Sequence, residues 1–161
     1  MATAYINIGS NTGDRRSTLE RAVAGIEKIV GATARRSEII ESDPWGYESD
    51  HRFLNIGIAI ETHLTATALF ERLMEVEHSL GGGTHRNADG TYRDRSLDID
   101  LIAIDDLTLD TPRLTLPHPR MHLREFVLAP MAELAPEWRH PLLGATPGEM
   151  LKHLDQSLVN S

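Results

Sequence analysis

The sequence predicts an α+β fold, a ferredoxin-like βαββαβ core with a mostly antiparallel sheet and helices packed on it. Three observations predict it. Strand-like and helix-like segments follow one another in the order β-α-β-β-α-β. The strand-like runs are short and bounded by Gly, Pro, Asn and Asp, and the helical ones carry one apolar stripe each. The 161 residues contain no repeat, low-complexity tract or long linker, so residues 1–161 are expected to form a single domain with its own core.

Each element has its own signal. Tyr5-Ile6-Asn7-Ile8 is a strand, followed by Gly9-Ser10-Asn11. From Asp14 to Val30, Leu19, Val23, Ile26 and Val30 recur at helical steps, and Gly31 is a stop. Residues 33–42 are expected to form a strand that ends at Asp43-Pro44-Trp45-Gly46. From Phe53 to Glu61, Leu54, Ile56, Ile58 and Ile60 share one face; Phe53, Asn55, Gly57 and Ala59 share the other. A helix from Ala66 to Leu80 presents Leu69, Phe70, Leu73, Val76 and Leu80, and ends at three glycines. The polar stretch 84–94 is expected to be a mobile loop, with a turn at Asn87-Ala88-Asp89-Gly90. Leu97 to Ile104 is a strand, Leu107 to Leu116 adds a hairpin strand, and Phe126 to Leu128 is a further strand. Thr146-Pro147-Gly148-Glu149 is a helix start, with a capping box and proline in the first turn. Met150, Leu151, Leu154 and Leu158 supply that helix's buried face.

Composition narrows the function. The net charge of −8 argues against a general nucleic-acid binder, which needs a basic footprint. Arginines nonetheless gather at 86–95 and 113–124, as an anion site in an acidic protein requires. There is no cysteine, hence no disulfide framework, zinc-thiolate site or thiol nucleophile. No apolar run is long enough for a membrane span, and the chain opens directly on a strand-like run without a signal-peptide pattern. A cytoplasmic location is therefore expected, with no membrane or nucleic-acid partner.

The most informative stretch is Arg95-Ser96-Leu97-Asp98-Ile99-Asp100-Leu101-Ile102. In a strand, Asp98 and Asp100 point to one face with Cα atoms about 6.5–7 Å apart. Two carboxylates side by side repel unless a cation lies between them. Magnesium, a hard ion that shares its shell among carboxylates, water and phosphate, suits the pair. An exposed pair neutralised by Arg93 and Arg95 is the alternative. The histidines show no closed zinc site, and His51, His63, His78, His140 and His153 read as surface residues.

Several pieces in fixed order carry a resemblance: Tyr5-Ile6-x-Ile8-Gly9-Ser10-Asn11, Phe53-Leu54-Asn55, Val76-Glu77 with Leu80-Gly81, and Arg95-x-x-Asp98-Ile99-Asp100. Arg113-Leu114-Thr115-Leu116-Pro117-His118 and Arg124-x-Phe126-Val127-Leu128 complete the set. Together they resemble the 6-hydroxymethyl-7,8-dihydropterin pyrophosphokinase family across nearly the whole chain. The resemblance implies transfer of the pyrophosphoryl group of ATP to the hydroxymethyl group of the pterin, releasing AMP, a step of folate biosynthesis. It implies two Mg2+ ions on Asp98 and Asp100, and catalytic roles for these with Arg95 and Arg124. It places Arg86, Tyr92, Arg95, Arg113, Thr115 and His118 at ATP. Phe53 and Phe126 would sandwich the pterin, Asn55 would bond its edge, and Ser42, Pro44 and Trp45 would wall its pocket. A monomer or weak homodimer is expected. A non-catalytic ATP- and pterin-binding module on the same fold is the alternative.

The sequence departs from the family pattern in three places. Arg93 and Asp94 stand where a small residue and proline are usual, and Tyr92 where tryptophan is common. Gly82 replaces the arginine usual after Leu80-Gly81; either Arg86 supplies that charge from a longer loop, or one phosphate contact is missing. Phe53 stands where tyrosine is also common. Glu77 is a carboxylate on an apolar helix stripe, so it needs a partner; a structural role is expected.

Overall fold

A computed structural model gives the structure of the chain. It describes residues 1–11, 14–42, 53–81, 85–86, 92–93 and 97–160, with side chains described except at 85–86, 92–93 and 156–160.

The strands are β1 (Ala2–Ser10), β2 (Arg35–Arg36), β3 (Ile40–Ser42), β4 (Phe53–Thr62), β5 (His85–Arg86), β6 (Tyr92–Arg93), β7 (Asp98–Ile104), β8 (Leu109–Asp110) and β9 (Thr115–Leu116). The helices are α1 (Arg15–Val30), α2 (Ala66–Ser79), α3 (Glu125–Leu134) and α4 (Pro147–Asn160), with a 3-10 turn at Met121–Leu123. The main sheet runs β2-β4-β1-β7, with β3 also on β4, and every pairing in it is antiparallel. This is the ferredoxin-like arrangement, with the first and third core strands at the centre.

The helix starts form as the side chains dictate. Asp14 caps α1 by accepting from the Ser17 N–H, and Gly31 ends it at φ +80°, where glycine carries no Cβ penalty. Thr65 caps α2 through the Ala68 N–H. At α4, the Glu149 N–H donates to Thr146 Oγ1 and the Thr146 N–H to Glu149 Oε1 (3.2 and 2.9 Å), a closed capping box.

Period-two alternation divides the core in two. Ala4, Ile6, Ile8, Leu54, Ile56, Ile58, Ile60, Leu97, Ile99 and Leu101 pack under α1 and α2. The opposite face meets α3 and α4 through Ile102, Ala103, Met121, Val127, Leu128, Met131 and Met150. A register shift between Tyr5 and Ile6 leaves Ile102 as an extra residue on β7. This bulge keeps Asp98 and Asp100 on the second face while returning Ile104 to the first core.

Four expectations are corrected. The strand expected over residues 33–42 is broken into β2 and β3. Between them the Ser37 N–H still donates to the Gly57 carbonyl, but the Ser37 hydroxyl accepts from the Gly57 N–H and the Glu38 N–H goes to Glu133, so side chains take over part of the ladder. Phe126 to Leu128 is the first part of α3, not a strand. A short apolar run has no period to separate the two, and Pro130 argues against a helix, yet α3 accommodates it by packing directly over Gly57. The stretch 84–94 contains the β5–β6 ribbon; the turn expected at residues 87–90 lies outside the described residues. His140 is buried rather than on the surface, its Nδ1 accepting from the Leu142 and Leu143 N–H groups.

A Cβ at Gly57 would lie 2.7 Å from Pro130 Cβ. Gly57→Ala is therefore expected to destabilise the fold by about 1–3 kcal/mol through overpacking, read as a lower midpoint in urea unfolding.

Candidate active site

The second sheet face is apolar under α3 and polar beyond its N-terminal end. The register of β1 organises the polar part. Gly9 pairs with Asn55 on one side and with Asp98 on the other, and Asn7 pairs with Gly57 and Asp100. Two strand spacings separate Asn55 from Asp98, roughly 10 Å. Gly9 is the bare floor between them. A Cβ there would meet Asn55 Oδ1 at 3.0 Å and Phe53 Cδ1 at 3.1 Å. Asn55 is buried, and its Nδ2 donates to Ser42 Oγ at 2.7 Å, so the amide's orientation is set by β3. Phe53 is buried on the same face, where period two puts it beside Asn55.

On the β7 side, Asp98 and Asp100 open into a cavity of about 480 Å³. Glu77, Arg113, Thr115 and His118 line it, and Phe70 and Met74 form an apolar wall. Arg113 stands at the outer rim, its guanidinium against Glu71 (3.3 Å) and over the Phe70 ring. Phe70 was assignable only to the core from its helical spacing; its position near the outer end of the stripe exposes it to the cavity.

His118 is held from two sides. Its backbone N–H donates to the carbonyl of Ile102, the bulge residue, at 2.7 Å. Its Nδ1 accepts from the Arg120 N–H at 3.1 Å, so the neutral ring carries its proton on Nε2. Burial, then the charges of Arg124 and Arg120, lower its pKa to about 4. At neutral pH His118 is an uncharged donor.

Arg124, at the start of α3, joins the two halves. Its Nη1 lies 3.9 Å from Asp100 Oδ2 and its guanidinium 5.6 Å from the Phe126 ring centre. Burial pulls its pKa below the ordinary value, while Asp100 and Asp98 oppose that shift. The helical start of α3 is what brings Arg124 and Phe126 to the same end of the sheet.

The described structure thus brings together Asp98, Asp100, Arg113, Thr115 and His118 in one cavity, with Arg124 at Asp100. Ser42, Phe53 and Asn55 lie across Gly9. Pro44, Trp45 and Arg95 lie outside the described residues, as does Gly82. For Arg86 and Tyr92 only the backbone is described; they face one another across the β5–β6 ribbon. Sequence reasoning missed Asn7, which is buried opposite Asp100; its strand alternation was the available signal. The two carboxylates, sharing a face and only partly exposed, are hard oxygen donors that fit a divalent ion such as magnesium.

A family model described as 7,8-dihydro-6-hydroxymethylpterin-pyrophosphokinase (HPPK) matches residues 5–136. The chain belongs to that family. A 2-amino-4-hydroxy-6-hydroxymethyldihydropteridine pyrophosphokinase of Porphyromonas gingivalis is 38% identical over 142 residues, 88% of this chain and 95% of the relative. The protein of the same name from Bacillus subtilis is 39% identical over 132 residues, 81% of this chain and 77% of the relative. Among solved structures, an HPPK-DHPS in complex with substrates superposes with a TM-score of 0.75 over 99% of this chain, at 12% identity. That likeness shows the fold, and the chain spans 44% of that longer one.

The lowered pKa of His118 has a definite sign. Protonation is suppressed in the folded state relative to the ordinary 6.5, so the unfolded chain binds the proton first as pH falls. The stabilisation is complete above that ordinary value and is lost as pH falls through about 4. The imidazole carbon-proton NMR signals of His118 are expected to titrate near 4, and His118→Asn to flatten the acid limb of stability between these two values.

Proposed function

We propose that residues 1–161 act as one pyrophosphokinase domain that transfers the pyrophosphoryl group of ATP to 6-hydroxymethyl-7,8-dihydropterin, yielding AMP and the pterin diphosphate for folate biosynthesis. The observation that carries it is the row Asn55–Gly9–Asp98 across three strands. It sets an edge-recognising amide and an aromatic face beside one wall, and a carboxylate pair beside a nucleotide-sized cavity at the other.

In this reading the nucleotide lies in the cavity, with the adenine against Phe70 and Met74 and the ribose and phosphates near Arg113, Thr115 and His118. Asp98 and Asp100 hold two magnesium ions, which supply charge neutralisation on the phosphate oxygens. Phe53 and Phe126 cover the two faces of the pterin, where offset stacking suits a planar heterocycle. Asn55, oriented by Ser42, recognises its edge, since an amide both donates and accepts. The segment at Pro44 and Trp45 closes the pterin side, and Arg86, Tyr92 and Arg95 cover the phosphates. The stretch 84–94 serves as a lid that excludes water during transfer.

The pterin hydroxymethyl oxygen attacks the β-phosphorus. The bond from that phosphorus to the α-β bridging oxygen breaks, AMP leaves, and the hydroxyl proton is released to solvent with the products. Such a transfer needs alignment and charge compensation more than covalent help. Neutral His118 donates Nε2–H to a phosphate or ribose oxygen. Arg124, fixed between Asp100 and Phe126, offers its planar fork to the transferring group. The reaction is expected to take place in the cytoplasm; among the described residues, no helix is long and apolar enough to cross a membrane. The protein is taken to work as a monomer or weak homodimer.

The test is AMP release from ATP and magnesium, with and without the pterin. AMP is expected only with the pterin, and Asp98→Ala is expected to lower it by roughly a hundredfold or more without changing the melting temperature. Pterin-independent AMP, or a fully active Asp98→Ala, contradicts the assignment. Asn55→Ala is expected to raise the pterin KM by roughly tenfold or more and leave the ATP KM unchanged.

A further inference from the structure

Among the described residues β7 is the last strand of the main sheet, and one side of its backbone has no strand neighbour there. Edge N–H groups normally face water or a covering element. Here α2 covers the edge. Its inward stripe is apolar at Leu69, Leu73 and Val76, and the next inward residue is Glu77, which is only 6% exposed. The Glu77 Oε2 accepts from the Ile99 N–H at 2.8 Å, a buried bond across 22 residues of sequence. Ile99 is the residue between Asp98 and Asp100.

Two costs cancel in this bond. A carboxylate on an apolar helix face is unfavourable without a donor, and a covered edge N–H is unfavourable without an acceptor. Charge-assisted bonds of this kind are short and about twice as strong as neutral ones. The Ile99 side chain is itself buried in the first core, and Ile99 pairs with Ile8 on the other side. The peptide between the two aspartates is therefore held from the helix, from the core and from β1.

We propose that Glu77 is a positioning residue, whose carboxylate fixes the Ile99 amide and so sets the spacing and direction of the Asp98 and Asp100 carboxylates for divalent-ion binding. Although Glu77 also lines the cavity, in this role it acts through the Ile99 amide. An edge strand without this bond is freer to fray at its end, and Asp98 is the first residue of β7. Leucine at position 77 keeps the apolar packing and loses the acceptor; glutamine keeps an acceptor oxygen. The inference rests on the reading of Asp98 and Asp100 as the metal pair.

The experiment measures Mn2+ binding by electron paramagnetic resonance, with a non-hydrolysable ATP analogue present, in wild type, Glu77→Gln, Glu77→Leu and Asp98→Asn. Amide hydrogen exchange at Ile99 is measured on the wild type and on Glu77→Leu. Asp98→Asn is expected to lose most of the binding. Glu77→Leu is expected to weaken it by roughly tenfold and Glu77→Gln to restore it to within about threefold of wild type. The Ile99 amide should exchange slowly in wild type and rapidly in Glu77→Leu, and the pterin Kd should not change. Wild-type binding by Glu77→Leu while Asp98→Asn fails overturns the positioning role and leaves the metal pair standing. Equal loss in the Gln and Leu variants also overturns it, because charge rather than position is then decisive. Undiminished binding by Asp98→Asn overturns the metal pair and the inference with it. If Glu77→Leu does not fold, rapid exchange of Ile99 in the wild type is sufficient to overturn the proposal.

Discussion

The site depends on the register of β1 between β4 and β7. One strand serves as ruler for both halves: Gly9 sets Asn55 opposite Asp98, and Asn7 sets Gly57 opposite Asp100. A slip of one residue on either side would turn Phe53 and Asn55, or the aspartates, into the core under α1 and α2. That slip is opposed by the full isoleucine and leucine faces of the same strands, which would be driven toward solvent. The energy that specifies the site is therefore hydrophobic and is stored on the face away from it. Gly9 completes the arrangement, since any side chain there would collide with the Asn55 amide and the Phe53 ring.

Charge is handled locally. The protein carries a net −8, yet the cavity combines carboxylates with Arg113 at its rim and Arg124 at Asp100. Arg124 gives the carboxylate pair a cation within reach of one of them, while Glu77 spends its charge on a backbone amide. His118 stays neutral because it is buried among arginines. The bulge at Ile102 ties these parts together: its carbonyl receives the His118 N–H, so the segment that follows β9 is located by the strand that carries the aspartates.

Much of this was legible because it rests on period two. Alternation alone puts Asp98 with Asp100 and Phe53 with Asn55, and the observed faces agree with it. The capped helix start at Thr146 was equally local. The rest required the tertiary structure. Phe126-Val127-Leu128 is apolar in any conformation, and its place in α3, with Pro130 packed over Gly57, is a tertiary feature. The break at Ser37 depends on a hydroxyl meeting the Gly57 N–H 20 residues away. Glu77 was conspicuous as a carboxylate in an apolar stripe, but its acceptance of the Ile99 N–H follows from the sheet ending at β7. His140 looked like a surface residue because no local pattern shows that two successive amides will close on its ring. Family resemblance supplied the roles of the arginines, which charge patterning alone does not assign.

The most direct measurement of the central claim is a crystal structure with Mn2+, a non-hydrolysable ATP analogue and 6-hydroxymethyl-7,8-dihydropterin. Anomalous density is expected at the carboxylates of Asp98 and Asp100, with a pterin whose edge meets Asn55 between Phe53 and Phe126. Metal bound away from the two aspartates, or a pterin bound on the other side of Gly9 among the phosphates, would contradict it.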